Sequence, residues 1–241
     1  MNLVLKEIYE NKSVQDSQGN LINPFPTATS IEIGTFFKDF IQEHNLRSTL
    51  EIGMAYGLSS MFICQTHHDR GYGSHIAIDP FQSSQWKSIG LLNIEKASLS
   101  DQLRFFEGYS YEVLPKLLAQ KETIDFAFID GSHQFDYTLV DFFYIDKLLQ
   151  IGGYAVFDDI WMPGVRKVLY FVLRNRMYEL VKINVASTLK QRIARFTRRF
   201  LQNPLEKDYY GIKYLPDNIC VLKKIAEETD ENRPWDFHRS F

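Results

Sequence analysis

Residues 124–160 read "IDFAFIDGSHQFDYTLVDFFYIDKLLQIGGYAVFDDI", and this stretch decides the fold. Its two ends, 124–131 and 154–160, are short apolar runs of the kind that form strands buried on both faces. The segment between them, 136–150, has the length and apolar spacing of a helix. Two buried strands joined by a helix predict a βαβ unit, in which the strands run parallel.

The same alternation continues on both sides of this stretch. Further strands are predicted at 48–53, 74–80, 103–108, 178–183 and 218–225, and further helices at 31–45, 58–69, 82–98 and 110–120. The pattern therefore predicts an α/β, Rossmann-like fold with about seven mostly parallel strands and helices on both faces.

A basic segment interrupts the alternation before the last strand. Residues 184–217 contain five Lys or Arg residues before the first acid, Glu206, and apolar residues recur among them at helical spacing. We interpret it as an inserted basic helix, either a lid that receives an anionic acceptor or, as we favour, an element docked on the domain or on a second subunit. The predicted organisation is an N-terminal arm (1–26), a main domain (27–183 and 218–226), the insertion (184–217) and a tail (227–241).

Composition limits the classes of function. The net charge of −3 gives no general attraction to nucleic acid or to anionic membranes, so neither is expected as a partner. The two cysteines exclude a disulfide framework, and the sequence has no apolar run of membrane-spanning length and no cleavable leader. We therefore predict a soluble cytoplasmic protein.

The predicted strands share one feature at their carboxyl ends, which is where open parallel sheets bind ligands. All five strands between 48 and 160 finish on acids or glycines: Glu51 with Gly53, Asp79, Glu107 with Gly108, Asp130 with Gly131, and Asp158 with Asp159. A single acid there is often a helix cap or a turn residue. Five along one edge predict an acidic, glycine-lined crevice.

The first strand-to-helix turn indicates the ligand. Residues 51–60 read "EIGMAYGLSS", which lacks the G-x-G-x-x-G spacing of dinucleotide-binding turns. Glu51 would repel a pyrophosphate but attract an amino group, and Asp79 is placed to accept hydrogen bonds from a ribose diol. These features favour S-adenosylmethionine over NAD, and an NAD-dependent oxidoreductase stays as the alternative.

Three segments carry a family resemblance. Residues 27–60 ("TATSIEIGTFFKDFIQEHNLRSTLEIGMAYGLSS"), 107–117 ("EGYSYEVLPKL") and 125–160 resemble motifs of the caffeoyl-CoA and catechol O-methyltransferases, in the same order. The chain is also similar to bacterial O-methyltransferases that modify antibiotics. The resemblance implies a class I methyltransferase that uses S-adenosylmethionine, acts on a small-molecule hydroxyl, and is assisted by a divalent cation such as Mg²⁺. A homodimer stays open.

The resemblance also implies the site residues. The cofactor-binding residues carried over by position are Glu51, Gly53, Ser59, Asp79, Ser110 and Asp130. The implied metal ligands are Asp130, Asp158 and Asp159, the last standing where the family usually has Asn. Successive strand residues point to opposite faces, so both Asp158 and Asp159 reach one ion only if the strand has ended before them.

His133 is the candidate catalytic base, together with Asp130. It lies where the resembled plant and mammalian enzymes place a Lys, and a neutral imidazole can take the proton of an acceptor hydroxyl. The alternative is a solvated turn histidine. His67 and His68 are interpreted as a solvated pair without a role. A non-catalytic binding protein with the same fold also stays open.

Overall fold

The computed structural model describes residues 1–25, 27–185, 189–202, 207–208 and 210–229. The chain forms two compact units, Met1–Gln120 (unit 1) and Lys121–Phe241 (unit 2). The domain boundaries given above remain a prediction, and parts of the insertion and of the tail lie outside the described residues.

Unit 1 contains three parallel strands flanked by helices. Its elements are α1 (Leu3–Asn11), β1 (Val14–Gln15), β2 (Leu21–Ile22), α2 (Ile31–Glu43), β3 (Ser48–Ile52), α3 (Leu58–Arg70), β4 (Ser74–Ile78), α4 (Ile89–Lys96), β5 (Leu103–Phe106) and α5 (Ser110–Ala119). The parallel strands lie in the order β5-β4-β3, and β1 and β2 form a short antiparallel pair.

Burial explains the strands of unit 1, and glycines mark the two ends of α3. Every residue of β3 and β4 except the first is buried, as parallel strands covered on both faces require. Helix α3 follows Gly57 and is terminated by Gly71, and both glycines have left-handed backbone angles (φ 79° and 71°). The turn between β3 and α3 is therefore confined to a few residues.

Unit 2 contains four strands, of which one runs against the others. Its elements are β6 (Ile124–Ile129), α6 (Phe135–Leu148), β7 (Leu149–Phe157), α7 (Pro163–Asn175), β8 (Tyr178–Val181), α8 (Leu189–Gln202) and β9 (Cys220–Lys224). The strand order is β6-β7-β9-β8, with β6 and β7 parallel and β9 antiparallel to both of its neighbours. All residues from Tyr154 to Phe157 are buried.

The seven predicted strands are present, and the α/β class with a mostly parallel sheet is confirmed. Two helices escaped prediction. One is α7, which begins at Pro163, a residue suited to the first helical turn because the N–H group that proline lacks would be left unbonded there. Helix α1 lies in the polar N-terminal arm and is capped by Asn2, which accepts a hydrogen bond from the Val4 N–H (2.9 Å).

The inserted basic helix is α8, which begins at Leu189. The Arg195 guanidinium lies 3.8 Å from the Asp217 carboxylate, and the Phe196 and Tyr214 rings are in contact, with centroids 5.8 Å apart. Ile193 is 57% exposed, so the apolar face of α8 is not fully covered within the described residues. Among those residues, no helix is both long enough and apolar enough to cross a membrane.

Gly34 tests the packing of α2 on α3. An ideal Cβ at Gly34 would lie 2.2 Å from two carbons of the Phe62 ring. Replacing a helix-interior glycine with alanine usually stabilises by about 1 kcal/mol, but overpacking costs roughly 1–3 kcal/mol. We therefore expect Gly34→Ala to lower the free energy of unfolding, as measured by urea denaturation.

The control is the same change in a Phe62→Leu background, where the ring that obstructs the new methyl group is absent. Gly34→Ala should cost less there than in the wild-type chain. A single variant more stable than wild type would show that α2 and α3 are not packed this closely.

Candidate active site

The carboxylate of Asp79 holds the turn at the end of β3. Asp79 directly follows β4 and is 2% exposed. Its Oδ2 accepts hydrogen bonds from the backbone N–H groups of Met54 (3.0 Å) and Ala55 (2.7 Å), and its Oδ1 accepts one from Phe81 (2.8 Å). The predicted ribose-binding acid therefore lies beside the first turn and fixes the direction of its N–H groups.

The turn at 53–57 depends on backbone conformations that favour glycine. Gly53 and Gly57 have φ angles of 94° and 79°, and Ala55 between them is also left-handed (φ 45°). A Cβ at Gly57 would lie 2.9 Å from the carbonyl oxygen of Gly90 on α4. Gly57 is thus required for its conformation and for the close approach of α4.

Both oxygens of the Glu51 carboxylate have partners inside unit 1. Oε1 accepts a hydrogen bond from the Ser59 hydroxyl, and Oε2 accepts one from the Ser60 hydroxyl (2.6 Å) and lies 3.0 Å from His75 Nε2. Glu51 is fully buried, and such partners offset the cost of burying its charge. The structure thus places Glu51 and Ser59 together, as residues that fix the start of α3.

This buried network continues through two more side chains. Thr49 Oγ1 lies 3.0 Å from His75 Nδ1 and 3.0 Å from His67 Nε2. His67 is 1% exposed, so its interpretation as solvated was wrong, whereas His68 is exposed. Burial, followed by the charge of neighbouring histidine and arginine side chains, lowers the pKa of His67 to about 3.

An aromatic surface follows the ends of β4 and β5. The Phe81 and Tyr109 rings pack edge to face, with centroids 5.9 Å apart, and each residue remains 40% exposed. Tyr111 stacks on Tyr109 at 5.1 Å, and Ser110 starts α5 between these two tyrosines. The sequence predicted Ser110 as a site residue but not the two tyrosines that flank it in "YSY".

In unit 2, His133 lies between two carboxylates. Its Nε2 atom is 3.1 Å from Asp130 Oδ1 and 3.7 Å from Asp159 Oδ2. His133 and Asp159 both have left-handed backbone angles (φ 60° and 51°), which non-glycine residues rarely adopt outside constrained sites. Burial lowers the pKa of His133, and the negative charge of Asp159 partly opposes that shift.

Asp159 is oriented by hydrogen bonds from two side-chain N–H donors, neither of which was predicted as a partner from the sequence. Its Oδ1 accepts hydrogen bonds from Trp161 Nε1 (2.8 Å) and Asn218 Nδ2 (2.6 Å). The Arg198 guanidinium of α8 lies over the Trp161 ring, 3.4 Å from its centroid. The sequence placed Trp161 beside the acids, but Asn218 lies just before β9 and is brought there only by the pairing of β9 with β7.

Asp158 is the acid with an unsatisfied oxygen. Its Oδ1 is shielded from solvent and has no hydrogen-bond partner among the described residues, whereas Asp130 hydrogen-bonds to its side chain. Burial first, and then the charge of Asp159, raise the pKa of Asp158 to about 7. Asp158 therefore gives up its proton at a higher pH than an ordinary aspartate does.

These acids have the right loop but not the arrangement of a metal centre. Strand β7 ends at Phe157, so Asp158 and Asp159 lie beyond it, as the metal prediction required. Yet within the described part of the chain no three His, Cys, Asp or Glu side chains are placed to hold one ion. Asp159 faces Trp161, Asn218 and His133 instead. In this arrangement the described residues do not fit a divalent cation. The Mg²⁺ predicted from the sequence therefore has no support from the geometry.

Comparison with known proteins identifies the family. Residues 50–160 match the family described as a methyltransferase domain. The caffeoyl-CoA O-methyltransferase of Citrus natsudaidai is 30% identical over 166 residues, which cover 64% of this chain and 68% of that protein. The chain belongs to the methyltransferase family of the caffeoyl-CoA O-methyltransferases.

Other members of this methyltransferase family match a shorter part of their own length. Caffeoyl-CoA O-methyltransferase 2 of Petunia hybrida is 31% identical over 145 residues, which cover 57% of this chain and 56% of that protein. Matches to further caffeoyl-CoA O-methyltransferases span 52% to 68% of those proteins. The chain thus spans about half to two thirds of the curated relatives that it matches.

Solved methyltransferases share the fold. An O-methyltransferase from Bacillus cereus in complex with SAH aligns with a TM-score of 0.61 and 21% identity, covering 75% of this chain and 83% of that one. The O-methyltransferase TomG from Streptomyces achromogenes, in complex with SAM, aligns with a TM-score of 0.64 and 14% identity, covering 94% and 91%. Identity this low establishes the common architecture alone.

Asp158 makes the stability of this chain depend on pH. A carboxyl group whose pKa is raised from 3.8 to about 7 by folding favours the folded state below pH 4, and that contribution is lost as the pH rises towards 7. Each pKa unit corresponds to about 1.4 kcal/mol. We therefore expect the free energy of unfolding to fall by a few kcal/mol over this range, on top of the titrations of other groups.

The matched variant is Asp158→Asn, which keeps the shape and cannot ionise. Its free energy of unfolding, measured with urea at several pH values, should vary less between pH 4 and 8 than that of the wild type. Equal pH dependence in both proteins would show that Asp158 ionises normally in the folded chain.

Proposed function

We propose that this chain transfers the methyl group of S-adenosylmethionine to a hydroxyl group of a small molecule. The observation that carries the proposal is the imidazole of His133, which lies at a strand end between two carboxylates. Membership of a family of O-methyltransferases supports the choice of reaction. The cytoplasmic location and a homodimer stay predictions.

The residues of unit 1 fit a nucleoside with a cationic sulfur. Asp79 orients the N–H groups of the 53–57 turn, which leaves a tight backbone edge for close approach of a ligand. Phe81 and Tyr109 present half-exposed rings for an adenine base. Within unit 1 we assign the cofactor to the predicted residues Glu51, Gly53, Ser59, Asp79 and Ser110, and a cofactor-binding role of Asp130 stays a prediction. Within that set Glu51 acts by positioning Ser59 and α3.

His133 is the proposed base. Its Nε2 faces Asp130 and Asp159, which favours the tautomer that carries the proton on Nε2 and leaves Nδ1 as the basic atom. Because burial lowers the pKa of His133, the ring is neutral and able to accept a proton at neutral pH. The two carboxylates then stabilise the imidazolium that results.

The chemistry requires alignment more than activation. When bound, S-adenosylmethionine supplies a methyl group on a sulfonium centre, which becomes a neutral thioether as its S–C bond breaks. The acceptor oxygen forms the new O–C bond, and its proton passes to Nδ1 of His133. The chain's task is to hold the hydroxyl in line and to exclude water. No step here is assigned to a divalent cation.

Cofactor binding is tested by calorimetry with S-adenosylhomocysteine. Asp79→Asn replaces one acceptor oxygen by an NH₂ group. This group cannot accept hydrogen bonds from the backbone N–H groups that it faces, so those N–H groups of the 53–57 turn should no longer be held in place. We expect its affinity to fall about tenfold or more, which corresponds to about 1.4 kcal/mol. Asp101→Asn, on the exposed surface of the same unit, should bind like wild type. Wild-type protein that does not bind this nucleoside would refute the proposal.

Methyl transfer is tested with catechols and other small hydroxyl compounds, using mass spectrometry to detect the methylated product. His133→Asn removes the base but tolerates the left-handed backbone. We expect kcat to fall by about 10²–10⁴-fold, with unchanged affinity for S-adenosylhomocysteine. The control is the exposed His68→Asn. Cofactor binding without turnover of any acceptor would indicate the non-catalytic alternative.

A further inference from the structure

The position between the strand-end acids of unit 2 is filled by a side chain. His133 Nε2 lies within 3.1 Å of Asp130 and 3.7 Å of Asp159. A small divalent cation that bridged these carboxylates would have to lie about 2.0–2.1 Å from each oxygen. The imidazole and such an ion therefore compete for the same space.

Other oxygens of the cluster already have hydrogen-bond partners, with the exception, among the described residues, of Asp158 Oδ1. Asp159 Oδ1 accepts two N–H hydrogen bonds, from Trp161 and Asn218. The Asp158 side chain hydrogen-bonds with that of Asp130, so an ion at this place would have to displace that contact as well. Oxygens that an ion would need are thus engaged by N–H groups and by a neighbouring carboxyl group.

We infer that the imidazole of His133, and not a divalent cation, links Asp130 to Asp159 in this chain. The inference rests on the proposed function, because it concerns how the same site supports loss of the hydroxyl proton. A bound cation would lower the pKa of the acceptor hydroxyl directly. In its place, two carboxylates around one imidazole stabilise the imidazolium that forms when the proton is taken.

The local backbone supports this role for His133. His133 has a φ angle of 60°, and its Nε2 atom lies 3.1 Å from the carboxylate of Asp130, three residues before it. Gly164 at the start of α7 packs against this turn: a Cβ there would lie 3.0 Å from the His133 carbonyl oxygen. The backbone of the turn that carries His133 is therefore packed closely against the start of α7.

The test is to titrate the protein with MgCl₂ or MnCl₂, without any other ligand. Binding is measured by calorimetry and, for Mn²⁺, also by the electron paramagnetic resonance signal of the free ion. His133→Gly empties the gap and is compatible with a left-handed φ. We expect no saturable binding to the wild type at millimolar metal and saturable binding to His133→Gly in the same range, because the carboxylates are then free to ligate an ion. The triple variant His133→Gly/Asp158→Ala/Asp159→Ala should lose that binding.

The inference would be overturned if the wild type bound the metal and the Asp158→Ala/Asp159→Ala variant did not. It would also be overturned if His133→Gly had no higher affinity for the metal than the wild type. His68→Ala controls for non-specific loss of a histidine. Circular dichroism monitors folding, and His133→Asn takes the place of His133→Gly if the glycine variant unfolds. The titration involves neither methyl donor nor acceptor, so its result is independent of whether methyl transfer is detected.

Discussion

Carboxylates at the ends of buried strands have to find hydrogen-bond donors in the loops that follow, and this constraint organises both units. A buried, unpaired charge costs several kcal/mol. In unit 1, Asp79 finds three backbone N–H groups, which fixes the 53–57 turn. Glu51 finds two serine hydroxyls and an imidazole, which fix the start of α3. The same hydrogen bonds that satisfy these charges therefore shape the loop where a ligand would bind.

In unit 2 the carboxylates at the strand ends find fewer hydrogen-bond donors. Asp159 is satisfied by Trp161 and Asn218, but one oxygen of Asp158 has no partner among the described residues. Two residues of its loops, His133 and Asp159, also adopt backbone angles that cost energy. Unfavourable features concentrated at one place in an otherwise well-packed unit are typical of a site shaped for chemistry more than for stability.

The sequence predicted the strands well because each is a short apolar run with a sharp polar end. It failed where the signal was ambiguous, as at Pro163, since proline both breaks and begins helices. It placed the acids correctly at strand ends but not their partners. Asn218 reaches Asp159 only through the antiparallel pairing of β9 with β7, and the buried Arg166 supports the same loop through the carbonyl of Ile160. Contacts of this kind depend on tertiary structure and leave no local pattern.

Two departures from the resembled family pattern acquire a joint explanation. A lysine carries a positive charge in its resting state, whereas the neutral imidazole of His133 becomes positive only after it accepts a proton. Histidine at 133 therefore benefits from an additional negative group nearby, and Asp159 provides one where the pattern has a neutral Asn. The extra acid would be costly without donors, and Trp161 and Asn218 supply them. His133 and Asp159 therefore compensate for each other: the acid stabilises a positive imidazole, and the N–H groups of Trp161 and Asn218 offset the charge of the acid.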